Sequence, residues 1–463
     1  MIAALRSICA DRRVQLALLV ALILRVVPLA VWPQLDCVRD ECIYRGVANK
    51  IVEGEGLTVS PKGWLPAPGY PYLLALSKVL TGSMQPVKWL QVLIGTASVA
   101  WLAVIADRVA GRRTAMFAAW LLAINPTAAW FTTTLWIETI YLFLLLASIE
   151  ALLRARSEDR VGPAAISGIW LGLAVLFRGV ATYLPPIFLL ATLMPMEGRP
   201  TLRSLFSEAG RRWPIALAFT LSAVLVVAPY SRVASQRHGG FLVSDATVGH
   251  VLYLGNNDFP PLTFDYGNGM LTGPLYARWL REGRPPCPRN QPPVLSSACE
   301  VKEAVQWVSD HPGAFIERMP MRVAQLVNPH SFFTRHLRWG YWHGLPWWGK
   351  EALVLFTAVH AAAIMVLGTL SAWARARGPF GVMAVGTTLY TVATIAIMYG
   401  MTRFRLPLEP LWTVYLALLI AEPGETWRSL MASPWRIGGA ILTIPSLLVL
   451  MAWYLPTGWP MAW

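Results

Sequence analysis

Apolar runs of about 17–25 residues recur along nearly all of this 463-residue chain, and each is long enough to cross a hydrocarbon core about 30 Å thick. The composition agrees: 56% of residues are hydrophobic and 14% charged, where soluble domains carry about 45–50% apolar and about 25% charged residues. The fold class expected is therefore an all-α polytopic membrane protein. The runs fall near Val14–Trp32, Val87–Ala106, Thr114–Phe131, Leu135–Leu153, Ala164–Phe177, Val180–Pro195, Trp213–Tyr230, Glu351–Ala372, Pro379–Gly400, Leu408–Ile420 and Ile437–Tyr454, about eleven spans in all. A formal charge of +14 arises from 39 Lys+Arg against 25 Asp+Glu. The basic residues are scattered over short loops rather than gathered on one face, which excludes a nucleic-acid partner and fits positive charge retained on the inner side.

Arg6, Arg12 and Arg13 precede the first span and hold the N-terminus inside. That span has the charge profile of a signal peptide, but it is too long and lacks a small-residue cleavage site, so it reads as a retained helix. Arg108/Arg112/Arg113, Arg154/Arg156/Arg160, Arg199/Arg203/Arg211/Arg212, Arg375/Arg377 and Arg428/Arg436 then all count to the inner side. Three regions follow: a membrane module over 1–230 with a first outer loop at 33–86, an outer loop domain over 231–349, and C-terminal membrane helices over 350–463. The outer domain is too long to be a structureless loop. It shows turn signals at Gly255-Asn256-Asn257 and Pro260-Pro261 and amphipathic segments near Cys299–Ser309 and Gly313–Val327. Cys287 and Cys299 share that loop, either as a disulfide or as two free thiols. No Cys-x-x-Cys is present, and the outer-loop histidines lack metal-ligand spacing, so no cofactor or metal is indicated.

The stretch Asp36–Pro71 concentrates the chemistry. Asp40 and Glu41 follow the first span, and Tyr44, Val47, Ala48 and Ile51 share one helical face, so a short interfacial helix can hold the acids above the bilayer. Pro66, Pro68, Gly69 and Pro71 stiffen the return. Acids fixed on such a ledge can serve as a general base; adjacent acids at a membrane exit can also be merely solvated. Arg178, Arg403 and Arg405 count to the outer face, against the orienting rule, at the depth of a lipid phosphate. Their ordinary reading is headgroup contact or helix anchoring. Glu138, near the outer end of its helix, has Arg25 or Arg178 as candidate partners. Arg25 itself reads either as an intramembrane functional group or as a side chain snorkelling to the interface.

At these residues the chain resembles the polyprenyl-phosphate-sugar-dependent membrane glycosyltransferases of the GT-C fold, which include bacterial relatives of protein O-mannosyltransferases and the lipid A aminoarabinose transferases. The matching pieces, in the family's order, are Asp40-Glu41-x-x-Tyr44, Pro68-Gly69-Tyr70-Pro71, Asn125-Pro126 leading to Glu138, and Gly172–Arg178. Ala228-Pro229-Tyr230, Leu254-Gly255-Asn256-Asn257, His311-Pro312-Gly313 and Arg403-Phe404-Arg405-Leu406-Pro407 complete them. The resemblance implies a GT-C-like helical bundle with an α-rich outer cap. It also implies that an acid of the first outer loop, Asp40, is the base of an inverting transfer from which polyprenyl phosphate leaves. Glu41 stands beside it. Arg178, Arg403, Arg405, Glu138, Tyr44 and Tyr70 are the expected substrate-binding residues. One departure stands out: the aminoarabinose transferases carry an acid-Lys pair before the proline matching Pro68, where this chain has Pro66-Ala67.

The expected partners are a polyprenyl-phosphate-linked sugar donor, a lipid, glycan or protein acceptor, and the membrane. The expected location is the cell (inner) membrane, multi-pass, with the site on its periplasmic or extracellular side. A transporter or lipid flippase is the rival from another class, and a scaffold subunit a third. Transporters place ionisable groups near the midplane on broken helices. Here, Arg25 apart, the charges lie at span ends, which favours surface chemistry.

Overall fold

The computed structural model describes residues 2–33, 37, 40–60, 64–194, 202–258, 287–288, 291–338 and 340–452, without the side chains of 2–4 and 202–206. Asp36, Pro195, Arg199, the Pro260-Pro261 turn signal and the final span's end at Tyr454 lie outside the described residues. Every regular element among the described residues is helical, as the apolar runs require. In chain order the elements are α1 Ile2–Cys9, α2 Arg12–Val31, α3 Asp40–Val52, α4 Gly69–Thr81, α5 Pro86–Ala110, α6 Arg112–Ala123 and α7 Pro126–Phe131. Next come α8 Glu138–Glu158, α9 Val161–Phe177, α10 Pro185–Leu193, α11 Leu202–Arg237, α12 Val248–Gly255, α13 Pro293–Asp310 and α14 Pro312–Val327. The series ends with α15 Phe332–Arg338, α16 Trp347–Arg375, α17 Gly378–Ile397, α18 Glu409–Ala421, α19 Pro423–Met431 and α20 Pro434–Ala452. Proline begins many of them, at Pro86, Pro126, Pro185, Pro293, Pro312 and Pro423, where its missing N–H has no helical partner to lose.

Among the described residues, six helices are long and apolar enough to cross a membrane: α2, α5, α16, α17, α20 and the Ser207–Arg237 part of α11. Shorter apolar helices cover Val161–Phe177, Gly179–Leu193 and Glu409–Ala421. The protein is thus an all-α polytopic membrane protein. Two expected spans are broken. The run expected at Thr114–Phe131 ends at Ala123, because Asn125 caps a new helix by accepting from Ala128 N–H at 3.0 Å. The run expected at Val180–Pro195 opens as a 3-10 turn, Gly179–Tyr183, before α10.

The bundle core joins α5, α6, α8, α9 and α18, filled by Leu102, Ile105, Leu145, Leu152, Leu171 and Leu411, all fully buried. Basic residues counted to the inner side find acids there. Arg108 meets Glu150 at 3.1 Å, Arg156 meets Glu208 at 3.8 Å, and Arg375 meets Glu422 at 2.9 Å.

The segment 231–349 is fastened in two places that matter for the site. Leu242 and Ala246 pack with Val47, Leu57 and Leu65 of the first outer loop, and Ala246 N–H donates to the Leu65 carbonyl. Farther along, Arg322 is completely buried and donates to the carbonyls of Ala396 and Ile397 and to those of the α12 end, Gly255 O and Asn256 Oδ1. A cation belongs at the negative end of α17. The same clamp holds α17 where the chain turns into Thr402–Arg405, the 3-10 turn that carries Arg403. Both expected amphipathic segments are helices, α13 and α14, and Cys287 and Cys299 form a disulfide with Cα atoms 6.0 Å apart.

Candidate active site

The acids of the first outer loop open α3 rather than precede it: Asp40 and Glu41 occupy its first turn, where a helix dipole favours negative charge. A second disulfide, Cys37–Cys42, brackets them with Cα atoms 5.0 Å apart. Neighbours in sequence, the two carboxylates part company in space. Glu41 turns inward, is 1% exposed, and accepts from Leu135 N–H at 2.6 Å, next to α8. Asp40 stays part-buried and receives Arg403 Nη1 on Oδ2 at 2.5 Å, a contact spanning 363 residues.

Arg403 sits in an aromatic collar. Its guanidinium carbon lies 5.4 Å from the Trp136 ring centre, 5.8 Å from Phe332 and 5.3 Å from Phe404. Arg178 approaches Phe404 from another direction, 5.4 Å away, with Tyr141 at 5.3 Å and Glu138 Oε1 at 3.5 Å from its Nη1. One phenyl ring therefore touches both cations. Burial alone would lower the proton affinity of Arg403; Asp40 first, then Glu138 and Tyr44, outweigh it and push the guanidinium above its ordinary value. The Tyr44 hydroxyl is raised by burial first, then by the negative charges of Glu138 and Asp40, so it stays a neutral donor. Two buried donors lack a hydrogen bond among the described residues: Arg403 Nε, and Arg178 Nη1, which has the Glu138 carboxylate only at ion-pair distance. Unsatisfied donors on buried cations are costly, and an anion is the natural remedy.

Tyr70 stands behind this group. It packs edge-on to Tyr44 at 5.3 Å and donates to Gln91 Oε1 at 2.9 Å, and Gln91 Nε2 in turn donates to the Thr134 carbonyl at 2.6 Å. Gly69 makes the approach possible, since a Cβ there would lie 2.5 Å from the Phe177 ring, one residue before Arg178. The structure therefore brings together Asp40, Tyr44, Glu138, Arg178 and Arg403, with Tyr70 as support.

Arg405 is placed elsewhere. At 3% exposure, it donates from Nε to Glu409 Oε1 at 2.7 Å and from Nη1 to the carbonyls of Leu326 at 3.2 Å and Asn328 at 2.5 Å. Its guanidinium bridges the join between α14 and α18. Arg25 does not snorkel; it is 1% exposed and turned into the bundle. Of the two partners considered for Glu138, Arg178 holds the place.

Several participants carried little sequence signal. Asp245 accepts from Gly179 N–H at 3.1 Å and from the Thr247 hydroxyl at 3.1 Å, fixing the backbone next to Arg178. Burial raises the proton affinity of Asp245, against the pull of Thr247, Gly179 and Arg178. A lone aspartate in a long loop gives no pattern to read. The Cys37–Cys42 spacing, by contrast, lay in a loop already placed outside and was open to the same reasoning as Cys287 and Cys299. Among the described residues no group of three His, Cys, Asp or Glu is arranged to hold a metal ion.

Residues 65–231, about a third of the chain, match the family model described as dolichyl-phosphate-mannose-protein mannosyltransferase. That stretch contains Tyr70, Glu138 and Arg178; Asp40 and Arg403 lie on either side of it. No curated protein matches the chain by sequence. Among solved structures the chain is similar to the oligosaccharyltransferase AglB of Archaeoglobus fulgidus in complex with an inhibitory peptide and a dolichol-phosphate. Identity there is 16% and the TM-score 0.46, over 96% of this chain and 55% of that one. The same organism's oligosaccharyltransferase with zinc and sulfate gives 13% and 0.45, over 95% and 52%. ArnT from Cupriavidus metallidurans bound to undecaprenyl phosphate gives 14% and 0.43, over 89% and 78%. The chain spans about half the length of the archaeal proteins it matches. The resemblance to GT-C fold, polyprenyl-phosphate-dependent glycosyltransferases read from the sequence thus agrees with the family model over residues 65–231.

Proposed function

We propose that this chain is an inverting membrane glycosyltransferase, which moves a sugar from a polyprenyl-phosphate donor to a hydroxyl of a lipid, glycan or protein acceptor at the outer face of the cell (inner) membrane. The observation that carries the reading is the meeting of Asp40 with Arg403 beside Glu138 and Arg178, with guanidinium donors still open. The donor's phosphate takes those open donors. As it binds, Arg403 shifts part of its charge from Asp40 to the phosphate and frees the carboxylate.

Transfer is then a single displacement. The acceptor oxygen bonds to the anomeric carbon opposite the phosphate oxygen, the anomeric C–O bond breaks, and its electron pair leaves on polyprenyl phosphate. Asp40 takes the acceptor's proton. The proton transfer is late, from a hydroxyl whose acidity rises as its new bond forms. The leaving phosphate gains one negative charge, and Arg403 and Arg178 stabilise that gain; a preorganised donor of this kind contributes about 3–4 kcal/mol to the barrier. Tyr44, neutral at ordinary pH, supplies a further hydrogen bond. In this reading Glu41 and Arg405 build the framework and do not touch substrate.

The outer location rests on the charge alternation and on two disulfides, Cys37–Cys42 and Cys287–Cys299, both in segments that count to the outside. Disulfides persist in oxidising compartments. The test is incubation of the purified protein with individual lipid-phosphate sugars and membrane-extracted acceptors, read by mass spectrometry and by NMR of the product's anomeric proton. The expected result is release of polyprenyl phosphate and a product of inverted configuration. A retained configuration would overturn the single displacement. Movement of intact donor between leaflets without cleavage would favour the flippase reading.

A further inference from the structure

The bundle contains a further buried cation that the transfer chemistry does not use. Arg25, on α2, is 1% exposed and has no carboxylate within salt-bridge distance among the described residues. Its Nη1 donates to the Ala21 carbonyl at 2.9 Å and to the Ala123 carbonyl at 3.3 Å, and its Nε has no partner. Ala123 ends α6, so Arg25 feels the negative end of a helix, but that amounts to about half a charge. A full cation in a low-dielectric interior costs several kcal/mol unless matched.

Beside it lies a small cavity of about 10 Å³, lined by Arg25, Gly95, Ser98, Thr139, Leu142 and Leu406 among others. The partnerless Nε faces that side, since a Cβ on Gly95 would lie 3.1 Å from it. A second polar atom on the cavity is also unmatched: Thr139 Oγ1 is buried with no hydrogen-bond partner. A cation and a hydroxyl, each short of a partner, thus flank one space large enough for a single small guest.

We propose that this cavity binds one monatomic anion of the halide class, chloride in the cell, between the Arg25 guanidinium and the Thr139 hydroxyl. A water molecule would satisfy the two hydrogen-bonding groups but leave the charge unmatched. A phosphate or carboxylate is too large for the space. The inference is independent of the glycosyl-transfer reading. It does bear on the site, because Thr139 follows Glu138 in the first turn of α8, so the anion fixes the base of the helix that presents Glu138 to Arg178.

The test uses the full chain in two arms. In crystals grown with bromide in place of chloride, an anomalous peak is expected beside Arg25 Nε; no bromine signal there overturns the proposal. In detergent, thermal unfolding is compared in sodium chloride, sodium bromide and sodium gluconate at equal ionic strength. The halides are expected to raise the midpoint by a few degrees over gluconate. Gly95→Ala, which fills the space, and Arg25→Met are both expected to abolish that difference, each judged against its own midpoint in gluconate. A wild-type midpoint indifferent to halide, or a halide effect that survives in Gly95→Ala, contradicts the assignment.

Discussion

Replacing Arg405 by alanine should unfold the protein more easily while leaving its affinity for donor lipid intact in the molecules that remain folded. Arg405 and Glu409 are each 3% exposed and joined at 2.7 Å, and Asn125 Nδ2 donates to the other carboxylate oxygen at 2.8 Å. Removing the guanidinium leaves the Glu409 carboxylate with the neutral Asn125 as its hydrogen-bond donor among the described residues and strips a donor from the carbonyls of Leu326 and Asn328. Breaking a buried ion pair from one side costs about 3–5 kcal/mol, mostly the penalty of the charge left behind. Neutralising that charge as well, in Arg405→Met with Glu409→Gln, should recover much of the loss. The assay is thermal unfolding in detergent, followed by tryptophan fluorescence, together with donor-lipid binding at a temperature where the variant is folded. Arg403→Ala, two residues away, should do the reverse: a small change in unfolding and a large loss of donor affinity. If Arg405→Ala unfolded at the wild-type temperature yet bound donor poorly, the framework role assigned to Arg405 would be wrong.

Three further outcomes follow from the same geometry. Glu41→Gln keeps an acceptor for Leu135 N–H and Glu41→Ala orphans it, so the alanine variant should be less stable than the glutamine variant by about 1–3 kcal/mol; equal midpoints for the two variants would contradict the buried bond. Burial first, and then Arg338 and Arg405 against the opposing Glu351, hold the His330 imidazole down at about 4, from an ordinary 6.5. The unfolded chain therefore takes up the proton first, so the stability due to His330 is present above pH 6.5 and is lost as the pH falls toward 4; His330→Gln should flatten the unfolding midpoint across that window. Serine at both Cys37 and Cys42 releases a short loop constraint worth about 2 kcal/mol, and should slow sugar transfer more than it weakens donor binding, because it loosens the ledge under Asp40 and leaves Arg403 in place.

The parts of this molecule legible in the sequence are those that repeat or punctuate. Apolar runs gave the helices, and Asn125-Pro126 and Arg178-Gly179 stand where two of those runs are interrupted. The candidate site was legible as a pair of segments far apart in sequence, and the structure joins them through Asp40 and Arg403. What could not be read was direction. Asp40 and Glu41 share one sequence environment, yet consecutive helical positions lie about 100° apart, so one faces the mouth and the other the core. Arg403 and Arg405 differ for a similar reason, and here a signal existed: Arg405 and Glu409 stand four apart, the spacing of a local ion pair. Arg25 gave the opposite lesson. Its position near the end of a span suited snorkelling, but packing against α5 and α6 turned it inward, which depends on neighbours that no local pattern reveals.

The most direct test of the account is single-turnover sugar transfer by Asp40→Asn, measured with donor affinity on the same preparation. Removing the base should slow transfer about 10²–10⁴-fold. Donor affinity should be unchanged or tighter, since Arg403 loses its competing carboxylate. Transfer at the wild-type rate by the folded variant would contradict the assignment of Asp40, and with it the mechanism built on the Asp40–Arg403 pair.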